Sequence, residues 1–172
     1  MSGPDGLRGL RCLDGAAGAQ EAGGGIEWRC LPFDALGLAE LYAVLQLRSE
    51  VFVVEQACIF QDMDGADDRA MHLLGCIEGR LVAYARCFAP GIKFAEASIG
   101  RIATHASVRG SGAGHALVRQ AIARLSPACS AQSIRIGAQA RLEGFYRQHG
   151  FVPDGAAYLE DGIAHIEMLR GA

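Results

Sequence analysis

The chain has 172 residues, 51% of them hydrophobic and 20% charged, with a formal net charge of −3. Those proportions suit one globular domain with enough apolar side chain for a full core. They exclude a membrane span, for which no run approaches about 20 apolar residues, and a dedicated nucleic-acid binder, which would show a basic excess. Lys93 is the one lysine, so no lysine-rich surface patch exists. The six cysteines (Cys12, Cys30, Cys58, Cys76, Cys87, Cys129) show neither C-x-x-C pairing nor Cys/His ligand spacing. With no secretory-type apolar core after Arg8 and Arg11, they are expected to be reduced thiols in a cytoplasmic protein.

Residues 1–25 carry eight glycines and no periodic apolar face, which predicts a flexible tail ahead of a domain over 26–172. The folded part is expected to begin near Ile26-Glu27-Trp28. Leu38, Leu41, Tyr42 and Leu45 recur at helical spacing and predict one buried face. Val51-Phe52-Val53-Val54 crowds the chain with β-branched residues, and Gln61–Arg69 reads as a polar loop in which Asp67 and Asp68 are solvated. His72–Ile77 and Leu81–Phe88 predict two strands joined at Glu78-Gly79, and Pro90-Gly91 ends the second. Ser98–Thr104 predicts a third strand, followed by a glycine-rich turn. Leu117, Val118, Ala121, Ile122 and Leu125 mark a helix stopped by Pro127. Ser133–Ala138 predicts a strand and Leu142–His149 a helix with Gly150 as its C-cap. Strands near Val152–Leu159 and Ile163–Leu169 close the chain. The order is α+β, with one parallel crossover between Ser98–Thr104 and Ser133–Ala138.

The most informative stretch runs from Thr104 to His115, where a strand enters three glycines in five residues and a helix begins at once. Such a turn exposes successive backbone N–H groups beside a helix dipole, an anion site suited to a phosphate or diphosphate. It is not a P-loop, because the lysine and the spacing are missing. It is not a dinucleotide fingerprint either: the third-glycine position holds His115 or Leu117, and Gln132 stands where the ribose-binding acid belongs. What remains is R-x-x-G-x-G, Arg109-Gly110-Ser111-Gly112-Ala113-Gly114. This resembles the coenzyme A loop of the GCN5-related N-acetyltransferases. The strand before it, the helix after it, and Phe145-Tyr146-Arg147-Gln148-His149-Gly150-Phe151 are similar to the same family. The stretch Leu41–Gln56, Asp62-Met63-Asp64-Gly65, His72-Leu73, Ile99-Gly100-Arg101 and Glu160–Met168 resemble its ElaA-type subfamily.

The resemblance implies a mixed, mostly antiparallel sheet of about seven strands, splayed at its centre and flanked by about four helices. It implies acetyl-CoA as cosubstrate, held by backbone groups of Ile102, Ala103 and Thr104 and by the N–H groups from Arg109 through Gly110, Ser111, Gly112 and Ala113 to Gly114. Tyr146 stands where the family's phenolic acid lies. An attacking amine must lose a proton near pH 7, and the usual base strand offers only Ser98, Gly100 and Arg101. Glu55 is the first candidate base, ahead of Asp64, Glu160 and His165. Arg101, Gln139, Glu160 and His165 are candidate acceptor contacts, with Arg101 equally suited to a buried ion pair. No metal is implied: Asp62-Met63-Asp64-Gly65 lacks a calcium loop's twelfth-position glutamate, since Leu73 stands there. The function so implied is transfer of an acetyl group to a small-molecule or protein amine in a ternary complex. A non-catalytic acyl-CoA sensor and an acyl-homoserine-lactone synthase-like acyltransferase are the alternatives. Neither nucleic acid nor membrane is expected as a partner, and a homodimer is left open.

Overall fold

A computed structural model describes residues 25–125 and 133–171. Residues 1–24 of the predicted tail (1–25), the Pro127 helix stop, Cys12 and Cys129 lie outside the described residues. Eight strands form one sheet: β1 (Glu27–Pro32), β2 (Met71–Ile77), β3 (Arg80–Phe88), β4 (Ala97–Thr104), β5 (Ile134–Gln139), β6 (Phe151–Pro153), β7 (Tyr158–Glu160) and β8 (Ile163–Arg170). The order across it is β1-β2-β3-β4-β5-β8-β6, with β7 also paired to β8. Among the described residues three α-helices accompany it: α1 (Leu38–Arg48), α2 (Ala113–Leu125) and α3 (Glu143–Arg147). None is long and apolar enough to cross a membrane.

The mixed, mostly antiparallel sheet is as expected, and the counts differ in ways the chain explains. β1 is an edge strand that the sequence reading missed, running from Glu27↔Cys76 to Pro32↔Met71. The predicted Val152–Leu159 strand is two short ones. Asp154 N–H turns inward to Glu167 O, Gly155 takes φ +107°, and β6 and β7 then occupy successive parts of one edge of β8. The hairpin turn is as read, with Glu78 and Gly79 both left-handed (φ 50° and 75°).

The predicted face of α1 is corrected. Leu38 and Tyr42 are exposed, and the buried residues are Val44, Leu47 and Arg48, continued by Val51. Those four follow the i, i+3, i+4, i+7 spacing of one helical face. The face was hidden because its third member is an arginine and because the helix runs on as a wider π-helical turn over Ser49–Val54, where β-branched residues suggested otherwise.

The sheet is covered on both sides. Alternation along β3 sends Ala83, Ala85 and Cys87 toward Leu117, Val118, Ala121 and Leu125 of α2, and Tyr84 toward Val44, Leu47 and Val51. The α2 side also collects Ile136, Ala138, Tyr146, Phe151 and Met168 into the main core. At about 25 cal/mol per Å2 of apolar area, such burial supplies the main stabilising term.

The feature that makes a site is the β4–β5 junction. These parallel strands pair at only two positions, Ala97↔Ile134 and Ser98↔Arg135, and then part. Arg135 secures the closed end by donating to both carboxylate oxygens of Glu96 (3.0 and 2.8 Å). From Gly100 to Thr104 the β5-facing edge of β4 has no strand partner among the described residues, and the sheet stands open.

Candidate active site

A bulge shapes one wall of the opening. Tyr84 pairs with Ala103 and Arg86 with Gly100, so Arg101 and Ile102 together face Ala85. Arg101 takes φ +51°, a left-handed conformation that is costly for a side-chain-bearing residue. The bulge sends Ile102 into the main core and Arg101 to the opposite face.

There Arg101 Nε donates to Asp62 Oδ1 (2.6 Å) and Nη2 to Asp62 O (3.1 Å). Arg48, fully buried, donates to Asp62 Oδ2 and Asp67 Oδ1 (both 2.7 Å). Arg86 completes the cluster on Asp64 and Asp67 (2.7 and 3.0 Å). Asp67 is therefore not a solvated loop residue. Burial pushes its carboxyl up, but Arg48 and Arg86 outweigh that and hold it low. The Arg86 hydrogen bond holds Asp64 well below the usual carboxylate range. His72 lies behind the cluster, hydrogen-bonded to Tyr84 Oη (2.7 Å) and Asp67 O (2.9 Å), and burial lowers its pKa. The guanidinium of Arg101 is thus committed to pinning the 61–69 loop to β4, the ion-pair alternative of the two open for it.

The glycine turn closes the end of β4. Gly110 and Gly112 are left-handed (φ 79° and 89°), and a Cβ on either would meet nothing within 4 Å. The first bond of α2 runs from Ala116 N–H to Gly112 O. The N–H groups of Gly112, Ala113, Gly114 and His115 precede it and lack intrahelical acceptors. At Gly114 a Cβ would meet the Phe145 ring of α3 at 3.6 Å, an ordinary van der Waals contact. Open space over free donors at a helix N-terminus fits a diphosphate. Arg109 folds over the turn, donating to Thr104 O from Nε and Nη2 (3.1 and 2.9 Å). It also grips both oxygens of Glu55 (3.1 and 2.8 Å). The structure thus sets Glu55 beside the anion turn with both oxygens engaged.

On the α2–α3 face Tyr146 is 6% exposed, edge-on to Phe145 and Phe151. Burial pushes its hydroxyl up to about 12, so it is a phenol at every working pH. Among the described residues that hydroxyl has no hydrogen-bond partner.

On the other face a second group of candidates meets. Gln139, the last residue of β5, donates from Nε2 to Gln56 Oε1 (2.9 Å), linking the β5 half to the segment that follows α1. His165 faces Gln139 across β5–β8 and Tyr158 across β7–β8, and it stacks on the Tyr158 ring at 6.0 Å. Glu160 is exposed, its Oε2 4.0 Å from His165 Nδ1. Cys58 Sγ–H reaches Asp161 O at 3.5 Å, a second link across the opening. Among the described residues four non-glycines are left-handed. Glu78 and Asp161 occupy the β2–β3 and β7–β8 hairpin turns, where a left-handed residue before glycine is ordinary, and Ala57 and Arg101 border this opening. Backbone strain of that kind collects at functional sites. Sequence reasoning missed Gln56, Tyr158, the role of Asp62, and the Phe52 and Phe60 rings about 5.8 and 5.6 Å from the Arg101 guanidinium. Gln56 and Asp62 did lie in stretches that carried the family resemblance.

Comparison with known proteins agrees with this geometry. Residues 40–170 match the acetyltransferase (GNAT) domain family. Protein ElaA of Escherichia coli is 40% identical over 147 residues, covering 84% of this chain and 96% of ElaA. The crystal structure of an acyl-CoA N-acyltransferase from Pseudomonas aeruginosa superposes with a TM-score of 0.81 at 40% identity, covering 85% of this chain and 99% of that one. The crystal structure of E. coli ElaA gives 0.78 at 40% identity, covering 84% and 99%. A sheet split beside a glycine turn, and relatives that share both sequence and fold, place this chain in the GCN5-related N-acetyltransferase family, on its ElaA branch.

Proposed function

We propose that residues 26–172 carry an N-acetyltransferase that moves an acetyl group from acetyl-CoA to a primary amine while both are bound. The observation that carries the reading is the continuity of the glycine turn with the unpaired edge of β4: one leads straight into the other at Thr104. In this reading the N–H groups from Arg109 to Gly114 hold the diphosphate, and Ile102, Ala103 and Thr104 offer main-chain groups to the pantetheine arm. When bound, acetyl-CoA supplies an activated thioester.

Tyr146, kept protonated by burial and without a competing partner, is set to give its proton to the departing sulfur. Both oxygens of Glu55 are engaged by Arg109, so its part in this reading is to steady that guanidinium beside the phosphates. The opening lined by Gln56, Gln139, Tyr158, Glu160 and His165 receives the amine, a small molecule or a protein group. Gln139 and Glu160 border it, while Arg101 shapes it through Asp62. A cytoplasmic setting, where Cys58, Cys76 and Cys87 stay reduced, fits this chemistry.

The test is release of free coenzyme A from acetyl-CoA in the presence of spermidine, phenethylamine and an alanine-led peptide. Amine-dependent release supports the proposal. Tight binding of acetyl-CoA with no release on any amine would favour the sensor reading.

A further inference from the structure

A base for the incoming amine is missing from the strand that usually supplies one, and the structure narrows where it sits. Asp64 is held by Arg86 and Lys93 (2.7 and 3.0 Å). Glu55 is held by Arg109 through both oxygens. Glu160 stands 60% exposed at the rim. Of the five histidines, His72 is tied at both ring nitrogens. His105 bonds Ser107 through Nδ1 and Arg80 through Nε2 (2.7 and 3.2 Å). His115 and His149 bond one another (3.0 Å) between α2 and α3, on the opposite side of the sheet.

His165 differs from all of these. Its Nδ1 lies 2.9 Å from Ile163 O. A carbonyl only accepts, so Nδ1 carries the hydrogen and the neutral ring presents its lone pair at Nε2. Among the described residues Nε2 has no partner. The ring cannot swing freely, because Tyr158 stacks on it and the Ile163 bond fixes its edge. It is 15% exposed and stands in the sheet between Gln139 and Tyr158, at the open end of β5.

We infer that His165 is the catalytic base, with Nε2 taking a proton from the acceptor's ammonium group. The inference rests on the acetyltransferase reading above. One ammonium proton passes to Nε2, and the freed nitrogen lone pair forms the C–N bond as the C–S bond breaks. The sulfur takes the Tyr146 hydroxyl proton, the nitrogen sheds its second proton to water, and water returns one to the phenolate. The imidazolium returns its proton to water, so the sum is one amide, one thiol and one released proton. Around the ring stand Glu160 and Tyr158 on β7, Gln139 on β5 with the Arg141 guanidinium donating to its Oε1 (3.0 Å), and Glu167 two residues along β8.

The experiment compares the full chain with His165→Ala and His165→Gln, using acetyl-CoA and the same three amines. The expected result is a fall in kcat of about 100-fold or more, unchanged acetyl-CoA affinity, and partial recovery of His165→Ala on adding imidazole. The deficit should also shrink as pH rises, because solution then supplies the neutral amine. An unchanged kcat, or a rise in KM alone with no imidazole rescue, overturns the assignment. Absence of turnover in the unmodified chain would instead overturn the acetyltransferase reading, and this assignment with it.

Discussion

Arg109 Nη2 lies 2.8 Å from Glu55 Oε2 and 2.9 Å from Thr104 O, so one guanidinium joins the end of α1's extension to the end of β4. Glu55 thereby competes with any phosphate for the charge of Arg109. Glu55→Gln is expected to tighten acetyl-CoA binding several-fold, while stability moves by no more than about 1 kcal/mol because the pair is largely exposed. Arg109→Gln should weaken binding about 10-fold or more through loss of charge-assisted bonds. Calorimetric titration of both variants checks this. A Glu55→Gln variant with unchanged affinity and a collapsed kcat would return the base role to Glu55.

Gly112 provides a sharper test of the anion turn. Nothing lies within 4 Å of its missing Cβ, but its φ of +89° disfavours any side chain. Gly112→Ala should therefore cost about 1 kcal/mol through backbone strain alone. Gly112→Glu should fold comparably and lose acetyl-CoA binding, since a carboxylate then sits among the free N–H groups. For the unmodified chain, ligand at about 100 times Kd adds roughly 2.7 kcal/mol, a rise in Tm of about 5–11 °C. Thermal unfolding of the three proteins with and without acetyl-CoA reads both effects. A full ligand shift in Gly112→Glu would remove the turn from the binding site.

Asp62 holds two guanidiniums at once, Arg48 through Oδ2 and Arg101 through Oδ1, and is 4% exposed. Removing it strands a fully buried Arg48 with Asp67 as its remaining carboxylate. Loss of one partner from such a cluster costs about 3–5 kcal/mol, so Asp62→Ala should lower the unfolding free energy measured in urea by that amount. Acid acts on the same cluster. The carboxyls of Asp64 and Asp67 titrate lower in the folded chain than in the unfolded one. Their stabilisation is complete above the unfolded carboxylate value near 3.8 and is lost as pH falls through the depressed folded values. Stability measured from pH 6 down to pH 2 should therefore decline below about pH 4, and less steeply in Asp64→Asn.

What could be read from the chain followed from which signals are local. The glycine turn, the Glu78-Gly79 hairpin and the Gly150 cap depend on φ values that few residues tolerate, so composition announces them. The face of α1 depends on a buried arginine whose partners lie 14 and 19 residues away. No periodicity count can reveal that, and Asp67 was misread for the same reason. β1 is visible only through its pairing with β2, because an edge strand with one buried residue, Cys30, carries little pattern of its own. The candidate site divides along the same line. The anion turn is contiguous in sequence and was legible. The opposite face assembles Gln56, Gln139, Tyr158 and His165 from three separate segments, and the carbonyl that fixes the His165 ring is a main-chain atom with no sequence signature.

Tyr146 allows chemistry to be separated from packing. Its ring fills the main core against Phe145 and Phe151, and Tyr146→Phe keeps that ring while removing only the hydroxyl. Because the hydroxyl has no hydrogen-bond partner among the described residues, its removal strands no donor or acceptor, and stability should change by less than about 0.5 kcal/mol. Acetyl-CoA affinity should also hold, since in the proposed mode the turn and the β4 edge bind through main-chain groups. A proton donor to the leaving sulfur acts only as the C–S bond breaks, so its loss should appear in kcat, by about 100- to 10,000-fold, with KM little changed. The basic limb of the pH–rate profile supplies a second reading. With the phenol pushed up to about 12, the wild-type rate should not fall between pH 8 and 10 through loss of the Tyr146 proton. A Tyr146→Phe variant that turns over at the wild-type rate would leave the hydroxyl without a role in the chemistry, and the sulfur would then take its proton from water.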